Sequence, residues 1–198
     1  MTERFTMDTT DGVTLEARWD SPQEPAGAVV FCHPHPLQGG TMMAPLMIAV
    51  AMRLVDRGLS VLRFNFRGTG NSGGAHDHGG SEQLDVGVAF ARASETGLEV
   101  SLAGWSFGAA TALRWLSGQE TGVAYVGIAP PSEGLPESLP PGPKRIVVGT
   151  RDQLIDVDQL RAYAASHSMD LVLTPGDHFF HGRGKKIGDL VYEGLRPS

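Results

Sequence analysis

The chain has 198 residues, 41% of them hydrophobic and 19% charged, the balance of an ordinary globular domain whose core needs no disulfide or structural metal. Its formal net charge of −6 argues against nucleic acid or an anionic membrane as a main partner. The single cysteine, Cys32, excludes an intrachain disulfide. The polar start MTERFTMDTTDG lacks the apolar core of a secretory signal, and no apolar run nears the roughly 20 residues a membrane span needs, so a cytoplasmic location is expected.

In chain order, RFTMDT and TLEARWD flank an Asp-Gly turn and predict an antiparallel hairpin at one sheet edge. AVVFC (28–32) predicts a buried strand. After the loop CHPHPLQGG, the segment APLMIAVAMRLVDRG has the apolar spacing of a helix that stops at Gly58. LSVLRFNF (59–66) is the next strand and RGTGNSGGAHDHGG a polar loop. SEQLDVGVAFARASETG reads as a helix entered near Gly80 or Ser81 and left at Gly97. EVSLAG, SFGAATALRWLSG and VAYVGIAP follow as strand, helix and strand. The proline-rich loop PPSEGLPESLPPGPK (130–144) is too short to separate domains. Beyond it RIVVGT, VDQLRAYAAS and MDLVLT predict strand, helix and strand, with a last helix near 183–195. This alternation predicts one α/β domain over residues 1–198, a mostly parallel sheet with helices on both faces.

Gly104-Trp-Ser-Phe-Gly108 stands where a predicted strand passes into a helix, the G-x-S-x-G arrangement of a nucleophile elbow. A serine in so tight a turn needs neighbours without side chains two positions either side, and the helix N-terminus behind it stabilises a developing oxyanion. The pattern alone says little, since roughly 0.2 matches arise by chance in a chain this glycine-rich. Its position between strand and helix is what carries weight. A serine nucleophile also needs a base and an orienting acid on the same sheet edge. Asp152 follows RIVVGT, with Asp156 and Asp158 as alternatives. His178 follows MDLVLT, with His181 as its competitor. The order Ser, Asp, His is the one an α/β-hydrolase elbow requires.

HPHPLQGGTM, FNFRGTGNSGG, GWSFG, GTRDQLI and GDHFFHGR occur in that order from about residue 28 to 183. The ordered set resembles the α/β-hydrolases, specifically the small, capless bacterial serine hydrolases related to dienelactone hydrolase. The resemblance implies the α/β-hydrolase fold without a lid, Ser106 as nucleophile, His178 as general base and Asp152 as its orienting acid, with no cofactor. Dienelactone hydrolases carry cysteine at the elbow, so their substrate does not transfer to a chain with Ser106. Relatives often carry His-Gly-x-Pro after the early strand, where x donates a backbone N–H to the oxyanion. His33-Pro34-His35-Pro36 fits that frame with proline for glycine. Proline has no N–H, so the donors are His35 or Leu37, and alignment favours His35, paired with Phe107 from the elbow. A metal reading of the His-x-His cluster needs three converging ligands, and two imidazoles on a proline-stiffened loop do not supply them.

Gly68-Thr-Gly-Asn-Ser-Gly73 matches a dinucleotide fingerprint, but it runs into GAHDHGG instead of a helix and is read as a tight loop. His76 and His78 are expected to be solvent-exposed, and Cys32 a packed apolar residue. Leu37, Met42, Trp105, Phe107 and Phe179 are the expected apolar walls of the site. With only the proline-rich loop where relatives insert a lid, the expected substrate is a small or short-acyl ester in an open site. Thioesters, lactones and peptides fit the same triad, as does loss of catalysis in favour of binding. A homodimer is left open.

Overall fold

The computed structural model describes residues 1–120 and 122–196. Its frame is one eight-stranded sheet. The strands are β1 (Thr2–Asp8), β2 (Thr14–Asp20), β3 (Gly27–Cys32), β4 (Leu59–Phe64), β5 (Val100–Trp105), β6 (Tyr125–Ile128), β7 (Lys144–Gly149) and β8 (Asp170–Thr174). The helices are α1 (Pro45–Asp56), α2 (Glu82–Ser94), α3 (Phe107–Ser117), α4 (Val157–Ser166) and α5 (Gly184–Leu195), with a short 3-10 turn at Pro36–Gln38. The strand order is β1-β2-β4-β3-β5-β6-β7-β8. β1 pairs antiparallel with β2, and β2 with β4; every later pairing is parallel. This is the expected mostly parallel sheet with an N-terminal hairpin, and Gly12 supplies the positive φ of the hairpin turn.

The central strands β3, β4 and β5 are buried along their whole length, as their unbroken apolar runs demand. α1 packs with α5 on one face, and α2 with α3 on the other. β4 stops two residues short of the predicted strand: Asn65 still donates to Glu16 O of β2 at 2.9 Å, but the Phe66 N–H leaves the sheet for the His33 ring at 3.0 Å. The stretch from Ala129 to Pro143 between β6 and β7 holds no helix or strand, so nothing covers the sheet edge where a lid would stand. Among the described residues no helix is long and apolar enough to cross a membrane.

The loop Gly68–Gly73 is a seam between β4 and the hairpin. Gly68 N–H donates to Gly73 O, Gly73 N–H to Thr14 O, and Asn71 N–H to the Glu16 carboxylate. Donors spent this way cannot cradle a phosphate. Arg67, at the head of the loop, forms a buried pair with Asp85 of α2 at 2.7 Å and reaches Asp11 of the hairpin at 2.8 Å.

Candidate active site

In a parallel sheet the strands deliver their following loops to one edge. Here the loops after β3, β5, β7 and β8 converge there on a cavity of ≈ 200 Å³.

Ser106 lies between β5 and α3 with φ 53° and ψ −119°, a left-handed conformation that costs a non-glycine residue about 1–3 kcal/mol. Its flanking glycines are obligatory. A Cβ at Gly104 would stand 2.5 Å from Ala109 N, and one at Gly108 would stand 2.3 Å from His33 O. The Ser106 N–H is anchored on Ile128 O at 2.8 Å. Ser106 lines the cavity, and its hydroxyl has no hydrogen bond to any described residue.

The Asp152 side chain is fully buried on the turn after β7. Its Oδ1 accepts the Leu154 N–H at 2.9 Å, and its Oδ2 lies 2.9 Å from His178 Nδ1. The alternatives have other work: Asp156 caps α4 through the N–H groups of Asp158 and Gln159, and Asp158 pairs with Arg161. The acid and histidine loops are stitched together by Arg151 N–H donating to Gly176 O at 2.9 Å. Gly149 has no room for a Cβ there, since one would lie 2.5 Å from Gly176 O. His178 lines the cavity with Ser106, and its carbonyl accepts the Trp105 indole N–H at 3.2 Å. His181 is exposed, stacked on Phe179 at 5.7 Å and away from the cavity.

The CHPHPLQGG loop divides its two histidines between two tasks. His33 is fully buried, with Nδ1 bonded to Pro34 O at 2.6 Å and Nε2 accepting the Phe66 N–H. Burial pushes its pKa down to about 4, so at neutral pH it is a neutral structural tie. His35 lines the cavity and caps the 3-10 turn, its Nδ1 accepting the Leu37 N–H at 3.2 Å. That bond commits the Leu37 N–H, while the N–H groups of His35 and Phe107 carry no hydrogen bond among the described residues. Among those residues no group of three or more His, Cys, Asp and Glu is placed to hold a metal ion.

Two expected walls are misplaced. Leu37 points outward, 71% exposed, because its turn faces solvent. Met42 is only 4% exposed and its backbone is tied down by Asn65 and Arg63, so it belongs to the core. Trp105 and Phe179 do line the cavity, joined by Leu154, Gln38 and Pro45, which no sequence signal singled out. Phe107 sits behind the site with its ring among His35, Phe66 and His76. His76 also departs from expectation. Its side chain is 4% exposed, packed under the loop, while His78 is exposed as expected.

This fold and edge define a lidless α/β-hydrolase. No family model matches the chain. It superposes on the lidless α/β serine hydrolase of Xanthomonas campestris with a TM-score of 0.89 at 30% identity, covering 98% of this chain and 94% of the other. An α/β serine hydrolase homologue of Coxiella burnetii gives 0.86 at 34% identity, with 98% and 97% covered. An uncharacterised protein of Rickettsia prowazekii is 29% identical over 196 residues, 90% of this chain and 82% of its own. The chain belongs to the α/β-hydrolases, among their serine hydrolases without a lid. The two solved relatives are described as α/β serine hydrolases and carry no statement about dienelactones.

Proposed function

We propose that the protein hydrolyses small or short-acyl carboxylic esters through an acyl-enzyme formed on Ser106. The observation that carries this reading is the cavity itself, where a serine in a strained elbow shares one wall system with a histidine already bonded to a buried carboxylate. In the first step Ser106 Oγ attacks the ester carbonyl carbon while His178 Nε2 takes the hydroxyl proton. Asp152 Oδ2 fixes the ring through Nδ1–H and compensates the imidazolium. The tetrahedral oxyanion rests between the N–H groups of His35 and Phe107. In support of that pair, these two donors are uncommitted, while the Leu37 N–H is not. Each such donor is worth about 3–4 kcal/mol in the transition state. Collapse expels the alcohol with the proton from His178, and the same imidazole then activates water to release the acid. Size supports the acyl preference, because a cavity of ≈ 200 Å³ with no cover holds a short acyl chain and leaves a long one in water.

Treatment with a fluorophosphonate followed by peptide mass spectrometry tests the assignment. The expected adduct is on Ser106 and absent in Ser106→Ala; labelling of another serine, or of none, overturns it. In a p-nitrophenyl ester series, acetate and butyrate should outpace C12 and longer chains.

A further inference from the structure

Beside the candidate site lies a histidine that the mechanism does not use, packed between aromatic rings and a buried carboxylate. The His76 ring packs on His35 at 4.8 Å and on Phe107 at 5.2 Å, the side chains of both proposed oxyanion donors. Both its ring nitrogens are buried without a hydrogen bond. Nδ1 lies 2.6 Å from Glu82 Oε1, an ion-pair contact once the ring is protonated. Phenylalanine would fill the same volume but leave the buried Glu82 carboxylate facing an apolar ring, so what the imidazole adds is the capacity to carry a proton there.

The ring it touches is the one that must not carry a proton. His35 Nδ1 is the acceptor for the Leu37 N–H, and a proton there would turn the acceptor into a donor and open the cap. A proton entering the cluster therefore has two rings to choose between. On His76 it meets the Glu82 carboxylate, which is fully buried and held by the N–H groups of Asp77 and Gly79. On His35 it breaks the turn.

We infer that His76 is a positioning residue. Set between the Glu82 carboxylate and the His35 ring, it keeps His35 unprotonated, so that the turn presenting the His35 N–H keeps its shape. The inference rests on the oxyanion assignment above. Burial lowers the His35 pKa, the charges of His76 and His78 lower it further, and Glu82 opposes them. The other titratable and charged groups around this corner are Asp77 in the same loop, Arg114 of α3 beyond Gly79, and His178 across the cavity.

The test is a histidine-resolved NMR titration of the full chain at low salt, without substrate. In His76→Phe, which keeps the ring and removes the charge, His35 should titrate higher by roughly half a unit or more, the repulsion of two like charges about 5 Å apart in water-like surroundings. The Leu37 amide resonance should move with the same midpoint. His76→Gln, which removes the charge but keeps a polar side chain beside Glu82, should give the same rise and decides the matter if His76→Phe does not fold. An unchanged His35 midpoint overturns the inference, as does a His35 shift that leaves the Leu37 amide still. In ester hydrolysis the variant should lose kcat at a higher pH than the wild type while KM holds. Since the titration needs no turnover, failure of fluorophosphonate labelling removes the hydrolase reading while the His35 midpoint is judged separately.

Discussion

Gly108→Ala is the smallest perturbation that tests the elbow. Gly108 is the second residue of α3, in a helical position where alanine would ordinarily be favoured by about 1 kcal/mol. Its neighbours reverse that preference. The added methyl would stand 2.3 Å from His33 O and 2.5 Å from Cys32 O, both backbone atoms at the end of β3. Ordinary contact needs roughly 3.5 Å, so α3 and β3 must separate by about 1 Å. Overpacking of this kind costs about 1–3 kcal/mol. At roughly 2–4 °C per kcal/mol for a chain this long, the loss should appear as a fall of several degrees in Tm. The displaced strand end also carries the His33–His35 loop, and a 1 Å misplacement of reacting groups can cost about 10²-fold in rate. Gly118→Ala is the control at the other end of the helix, where φ is −86° and the nearest atom to a new Cβ is Trp115 O at 3.5 Å. It should leave Tm unchanged or raise it slightly. Urea and thermal unfolding followed by circular dichroism measure both. Equal stability in Gly108→Ala and wild type would refute the close approach of α3 to β3 on which the elbow depends.

Asp152→Asn should lower kcat by roughly 10³–10⁴-fold with KM little changed, because an amide no longer fixes the histidine tautomer or balances the imidazolium; ester kinetics check it, and retention of a tenth of wild-type activity would reassign the acid. His33 gives a pH prediction with a definite sign. Its pKa of about 4 in the folded chain lies below the ordinary 6.5, so the unfolded state binds the extra proton between those values and stability falls as pH drops through that window. From pH 7 to pH 5 the loss from this residue should be about 2 kcal/mol, visible in urea unfolding and diminished in His33→Asn.

Much of the architecture was written in local pattern. β3, β4 and β5 show as apolar runs, and VDQLRAYAAS is the observed α4 to the residue. Ser106, Asp152 and His178 stood out as candidates because a parallel sheet sends each following loop to one edge, and the structure places Ser106 and His178 on one cavity with Asp152 bonded to His178. What stayed hidden depends on which way a side chain points inside an irregular loop. Leu37 and Met42 sit on the same loop as His35, and no periodicity separates the one that turns outward from the one that turns into the core. His76 defies its local sequence for a related reason. Its surroundings in GAHDHGG are polar and glycine-rich, yet Glu82 folds the loop back by accepting from Asp77 and Gly79 and carries the imidazole under His35. Leu154 left no trace in sequence because its place comes from its own N–H, bonded to Asp152.

The distribution of backbone strain points to the same edge without reference to any side chain's chemistry. Among the described residues, five that are not glycine have positive φ: His78, Ser106, Ala129, Ser168 and Phe180. Ser106 and Ala129 end β5 and β6 and are tied in series, Ser106 N–H to Ile128 O and Ala129 N–H to Val147 O. Phe180 follows His178 by two residues, and His78 packs against His76. Four of the five therefore adjoin the candidate site or its supporting loop. At about 1–3 kcal/mol each, such residues consume a sizeable share of the roughly 5–15 kcal/mol by which a domain is stable. They are held because the buried strands beneath leave them no alternative path. The strain at Ser106 holds a residue that lines the cavity beside His178. The backbone bonds of this edge, Ser106 N–H to Ile128 O above all, fix the elbow in one conformation, the preorganisation that the proposed acyl transfer would draw on.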